Sequence, residues 1–227
     1  MQQQDDSHMN QPLAHAASPV AGVDGCPAGW IVATEQDLRV LPELHRGMAC
    51  VVGVDMPIGL PAMSSRACDL EARAFLGPRR SSVFPTPARA CLGTRDYAAA
   101  LVASRHAVGV GLSKQSYFLL PKIRQLDQLV GPGDDGFIEV HPECAFLVMN
   151  ELEPLAPKKS PAGSSRRAEL LRAVFGALPA TPRGARLDDV LDAYAVLWST
   201  RRFVDGEHRT FGDGSTDERG LPMRIIC

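Results

Sequence analysis

Apolar and polar positions change period several times along the chain, and each change predicts an element. From Val20 the pattern is strand-like: VAGVD, a Gly/Pro turn, WIVATE from Trp30, then LRVL from Leu38. Short β-rich runs separated by turn residues predict an antiparallel meander. CVVGVDM (Cys50 to Met56) is a continuous apolar run stopped by Pro57 and Gly59, as expected of a strand buried on both faces. Ser65 to Leu76 predicts a helix ending at Gly77-Pro78. Arg79 to Thr94 is rich in proline and small residues and reads as a long loop, a length that in compact domains usually serves function. Helices are expected over Arg95 to Val108 and Ser113 to Val130, the second kinked or split by Pro121. FIEVH (Phe137 to His141) predicts another core strand, and Cys144 to Leu152 a short helix. A basic loop over Lys158 to Gly163 precedes a helix over Arg166 to Ala177. The clearest helix is Arg186 to Val204, with Leu187, Val190, Leu191, Tyr194, Leu197 and Trp198 on one stripe.

Residues 1–18 are polar and unpatterned and are expected to form a disordered tail. Residues 19–227 then make one domain, closed from about residue 205 by Gly-rich turns and LPMRIIC, a C-terminal hairpin or edge strand. Three antiparallel strands followed by strands alternating with helices predict an α/β fold, a mixed sheet with helices on both faces.

Composition narrows the class without naming it. Of 227 residues 45% are hydrophobic and 22% charged, which excludes a disordered protein, a collagen-like rod and a coiled coil. No apolar run reaches the length of a membrane-crossing helix. The first residues have neither the basic start nor the apolar stretch of a secretory signal, and the six cysteines never form a CxxC pair. Reduced thiols that serve packing, no zinc motif and a cytoplasmic location are the expectation. The formal net charge of −2 hides an asymmetry, because ten Lys/Arg stand against three Asp/Glu between Ser64 and Arg124. Such a segment can form a basic face for phosphates, or be neutralised by the acidic remainder after folding.

The candidate chemistry is acidic. Asp24 closes the first strand beside Gly25, and Asp55 ends the second buried strand. Asp189 and Asp192 stand three apart on one face of the last helix, and Glu139, His141 and Glu143 would share one side if their strand continued. Carboxylates drawn together from distant positions repel unless a cation sits among them, and Mg²⁺ or Mn²⁺ would take such oxygen ligands together with substrate phosphate. Each residue also has a plainer reading: a turn for Asp24-Gly25 and Asp55, a helix cap for Asp189, a hydrogen-bonded structural histidine for His141.

GVDGCPAGW, VDMPIGLP, CDLEARAFLGPRRSSVFPTPAR, SKQSYFLLPKIRQLD, EVHPE and DDVLDAYAVLW, in this order from Val20 to Arg202, resemble the predicted-nuclease family catalogued as domain of unknown function 429. That family is similar to the ribonuclease H-like superfamily, which includes Holliday-junction resolvases. The resemblance implies a ribonuclease H-like sheet, a metal-binding Asp24 on the first strand, a second acid at Asp55, and acids on the final helix where DxxDA matches Asp189, Asp192 and Ala193. One departure stands out: the eight or so residues between LRVL and CVVGVD are too few for the helix that normally covers the sheet there. That layer is expected to be thin or filled by another segment.

In this frame the leading expectation is a Mg²⁺- or Mn²⁺-dependent phosphodiesterase acting on DNA or RNA. Asp24, Asp55, Asp189 and Asp192 would be its metal-binding and catalytic acids, with Glu139 a further catalytic acid. Arg79, Arg80, Ser82, Arg89, Lys114, Lys122, Lys158, Lys159, His141 and Glu143 would face the substrate, the cations positioning phosphate. Two other classes stay open. One is an ATP-dependent phosphoryl transferase related to sugar kinases and actin-like proteins, although such proteins use two similar halves and no GxxxxGK[ST] is present. The other is a non-catalytic module binding nucleic acid or protein. With few aromatics, a stacking platform for single strands is not evident, and Phe84, Tyr117 and Phe118 read first as core residues.

Overall fold

The computed structural model describes residues 20–227; the expected N-terminal tail lies outside them. The meander forms as its turn residues dictate. Strand β1 (Val20–Cys26) pairs antiparallel with β2 (Gly29–Ala33), which pairs antiparallel with β3 (Leu38–Leu41). On its other side β1 runs parallel to β4 (Val51–Val54), and β4 runs parallel to β5 (Phe137–Glu139). The sheet order is β3-β2-β1-β4-β5, the mixed arrangement expected for a ribonuclease H-like α/β fold.

Six helices follow: α1 (Ala67–Leu76), α2 (Tyr97–Val108), α3 (Lys114–Leu129), α4 (Pro142–Met149), α5 (Pro161–Phe175) and α6 (Leu187–Val204). The long loop after α1 holds two short 3₁₀ turns. Helix α3 runs unbroken through Pro121, a correction to the expected kink or split. Leu120, Ile123 and Leu126 flank that proline and are buried in the core, so tertiary packing offsets the one lost backbone bond. Helix α5 begins five residues earlier than its apolar pattern suggests. Ser160 caps it by accepting a bond from the Gly163 N–H at 3.1 Å, and Pro161 takes the first turn, where no N–H is needed.

Strand alternation sends Ala21, Val23, Val52 and Val54 to one face, where they pack with Trp30, Val32 and the apolar side of α3. This segment fills the layer that the short β3–β4 connection cannot. The opposite face receives α6, directly over β1. A Cβ at Gly22 would stand 2.1 Å from the Leu197 nitrogen, and one at Gly53 2.0 Å from Thr200 Oγ1, so both glycines are demanded by close approach. Helix α6 is sandwiched between the sheet and the α4–α5 layer. Val190 to Leu197 are therefore buried all round, while Leu187, expected on the apolar stripe, is exposed at the start of the helix, a correction to that expectation.

The C-terminal segment adds β6 (Thr210–Phe211) and β7 (Ile225–Ile226), paired antiparallel, and a parallel bridge from Val140 to Ile226 attaches β7 beyond β5. All six cysteines are free thiols. Among the described residues no helix is long and apolar enough to cross a membrane.

Candidate metal centre

The tripeptide Gly-Val-Asp occurs twice, as Gly22–Asp24 and Gly53–Asp55, and β1 and β4 are in register at Gly22/Gly53 and Val23/Val54. Each aspartate therefore follows its glycine by two positions and projects to the same face, toward α6. The Asp55 N–H donates to the Val23 carbonyl at 2.9 Å, carrying the pairing to the strand ends. Asp192 is brought down onto this edge because α6 seats its backbone on Gly22. One carboxylate oxygen from each of Asp24, Asp55 and Asp192 lies within 4.8 Å of the other two.

Second partners orient two of the three. Asp24 Oδ1 accepts from the Gly25 N–H at 2.6 Å, and Asp192 Oδ2 accepts from Lys158 Nζ at 2.7 Å. One oxygen on each is thereby left for a ligand, the usual division of labour around a bound metal. Burial pushes the Asp24 carboxyl well up, and the charges of Asp55 and Asp192 add to the effect while Lys158 opposes it. Asp55 is pushed up to about 7, first by burial and then by Asp192. Burial also raises Asp192, against the pull of Lys158. Burial alone would lower the Lys158 ammonium, but Asp192 outweighs it and holds the lysine protonated. This is the signature of like charges gathered without a sufficient counter-ion.

The three acids form one end of a cavity of about 440 Å³. Asp189 lines it one helical turn before Asp192, but its Oδ2 accepts from the Arg186 N–H at 2.8 Å in a capping box, and it stands outside the close triad. Arg79, Ser82, His141, Glu143, Lys158 and Lys159 also line the cavity. His141 Nε2 faces the Ser82 carbonyl at 3.3 Å, so the ring proton sits there and Nδ1 keeps its lone pair, without a hydrogen-bond partner among the described residues. Burial lowers its pKa and favours this neutral form.

Other expected site residues serve the scaffold. Strand β5 ends at Glu139 and Pro142 opens α4, so Glu139, His141 and Glu143 do not share one strand face. Glu139 receives both terminal nitrogens of the buried Arg66 at 2.7 Å and the Ile58 N–H at 2.7 Å, a full complement of partners that removes it from the acid triad. Arg66 also binds Asp69 and the Ile58 and Gly59 carbonyls, tying the start of α1 to the Pro57 loop and the end of β5. Glu143 is held by the buried Arg167 at 2.9 and 2.7 Å, with Arg79 at 3.7 Å. Arg89 pairs with Asp127 and Asp217, and Lys122 donates to the Cys26 and Gly29 carbonyls and covers the Trp30 ring. Arg80 and Lys114 are exposed and do not line the cavity. Half of the ten cations between Ser64 and Arg124 (Arg66, Arg73, Arg89, Lys122 and Arg124) are thus held by partners within the fold, Arg79 lines the cavity, and Arg80, Arg95, Arg105 and Lys114 are exposed.

Arg66 and Arg167, the buried cations that hold Glu139 and Glu143, were not foreseen, since an arginine among polar neighbours carries no sequence mark of burial. The paired Gly-Val-Asp was a readable sign that Asp24 and Asp55 converge.

No curated protein and no solved structure gives a match to the chain. A family model described as "Protein of unknown function (DUF429)" matches residues 22–217, a span that includes the whole acid triad and both of its glycines. By that match the chain belongs to the DUF429 family.

Proposed function

We propose that the protein is a divalent-metal-dependent phosphodiesterase that hydrolyses nucleic-acid phosphodiester bonds, with Mg²⁺ or Mn²⁺ held by Asp24, Asp55 and Asp192. The observation that carries this reading is the convergence, with one oxygen from each within 4.8 Å of the others, of Asp24 and Asp55 at the ends of two parallel strands and Asp192 on α6. The donor set is all oxygen, as hard cations require, and the raised pKa values of Asp24, Asp55 and Asp192 mark a place where added positive charge is favourable. A cation bound there supplies Lewis-acid stabilisation of charge on a phosphoryl oxygen and lowers the pKa of water.

The chain's own residues do the rest. Gly25 and Lys158 fix the orientation of Asp24 and Asp192. Arg79 and Lys159 reach the cavity and are placed to bind the phosphoryl group. His141 lines the cavity as a wall residue, its Nε2 facing the Ser82 carbonyl and its Nδ1 buried.

The test is cleavage of labelled DNA and RNA oligonucleotides in Mg²⁺ or Mn²⁺, with EDTA controls and the variants Asp24→Asn, Asp55→Asn and Asp192→Asn. Cleavage should require metal and each aspartate. Cleavage that survives EDTA, or persists in any of the three variants, would refute the assignment.

A further inference from the structure

The cavity beside the triad has the size of a small-molecule site and the wrong charge for a long polyanion. Its volume of about 440 Å³ falls in the range of roughly 300–1,000 Å³ found for pockets that enclose small ligands. Seven carboxylates and four cations line it. Two of the cations are already committed, Arg66 to Glu139 and Asp69 and Lys158 to Asp192. That leaves Lys159 and Arg79, the latter in a looser 3.7 Å pair with Glu143, which Arg167 already holds at 2.7 and 2.9 Å. Proteins that grip duplex DNA make about 6–10 phosphate contacts with Lys and Arg, whereas four Lys and Arg line this cavity. Arg89 and Lys122 are taken up inside the fold, and Arg124 donates to the Leu92 carbonyl.

The wall supplies the second half of the argument. Phe84 lines the cavity and is 42% exposed, a cost in apolar surface that core packing does not explain. Pro85 and Pro87 continue the same wall. Among the described residues Phe84 is the one aromatic carbocycle on the cavity, and a planar base stacks on such a ring whatever its identity.

We infer that the substrate is a nucleoside phosphodiester one nucleotide deep, a dinucleotide or the terminus of a single strand, and not the interior of a duplex; the inference rests on the phosphodiesterase reading above. One base lies against Phe84, and the adjoining phosphodiester reaches the triad, with Arg79 and Lys159 as its counter-charges. The reaction is hydrolysis. The oxygen of water bonds to phosphorus as one ester P–O bond breaks. One water proton passes to the departing oxygen, which leaves as a hydroxyl, and the other is released as the new phosphomonoester ionises.

The full chain in Mn²⁺ should be given four probes: a thymidine dinucleoside monophosphate, a linear single strand, a covalently closed single-stranded circle, and a blunt duplex. The dinucleotide and the ends of the linear strand should be cut, while the circle and the duplex interior are not; the first two probes separate the two sources of the same chemistry. Phe84→Ala should raise KM about tenfold with little change in kcat, as loss of one stacked base predicts. Equilibrium binding of the dinucleotide in Ca²⁺, which takes the same kind of oxygen ligands, should weaken by a similar factor. A circle cut as fast as the linear strand overturns the substrate class and leaves the metal-dependent reading standing. Unchanged KM and binding in Phe84→Ala remove the base from the site. No cutting of any probe overturns the phosphodiesterase reading itself, and this inference with it.

Discussion

Asp24→Asn separates a metal ligand from a structural aspartate, because the two roles predict opposite signs. Asn keeps the oxygen that accepts the Gly25 N–H and nearly the same shape, but not the charge. Two carboxylates at the 4.8 Å limit of this triad repel by about 3.5 kcal/mol at an effective dielectric of about 20. Asp55 is also pushed up to about 7, but first by burial and then by Asp192, so that shift is no second measure of its repulsion with Asp24. Asp55 is only half-buried and Asp24 itself resists ionisation, so solvent screening and proton uptake reduce the relief from the substitution to about 2 kcal/mol. A folded-state pKa above the unfolded one means that the native state holds the extra proton. The contribution of Asp55 to metal-free stability is therefore fully present below about pH 4 and is lost as pH rises toward about 7. Asp24→Asn should be neutral near pH 4 and raise the metal-free Tm by about 4–8 °C at pH 8. Metal at a hundred times its Kd should stabilise wild type by about 2.7 kcal/mol and the variant hardly at all. The assay is a set of melting curves for both proteins at both pH values, with and without Mn²⁺. A variant less stable than wild type at pH 8, or equal metal responses in the two, would refute the reasoning.

Three further outcomes follow from the same geometry. Mn²⁺ affinity measured by calorimetry should fall about tenfold per pH unit below about 7, where a proton competes for Asp55; a flat profile would count against that ligand. Lys158→Met removes the ammonium bonded to Asp192 and should tighten Mn²⁺ binding at pH 8 by about tenfold while slowing cleavage, whereas unchanged affinity would mean that lysine and metal do not share the site. Arg66→Met strands Glu139 and Asp69 in the interior and should cost about 3–5 kcal/mol in urea unfolding, and a loss below about 1 kcal/mol would show that the network is dispensable.

The strands of the sheet and most helices were legible because their apolar periods are plain: the meander, the buried run at Val51–Val54 and the helix at Leu187–Val204 fall where the sequence pattern puts them. Asp24, Asp55 and Asp192 were legible as acids at strand ends and on one helix face, and they are the three that converge. The basic residues were not, since a cation is equally at home on a phosphate-binding rim and inside an ion pair. What decides for Arg89 is the position of Asp217, 128 residues away, and nothing local records that distance. Glu139 was misassigned for a related reason: the strand stops at it, and its partner Arg66 comes from the start of a different element. Phe84 was read as a core residue because exposure depends on how the 79–94 loop folds back, which composition does not encode.

Gly22 and Gly53 act as the spacer blocks of a gauge. The separation of Asp24 from Asp192 is set by how far the backbone of α6 stands off β1, and that stand-off is the thickness of a missing methyl group. An alanine at position 22 would have to push Leu197 N out from 2.1 Å to ordinary contact, a displacement above an ångström, whereas coordination distances tolerate only about 0.2 Å. Position 22 touches neither ligand nor cavity, yet an activity screen would score it beside the aspartates. Its side chain of a single hydrogen is the dimension to which the acid triad is built.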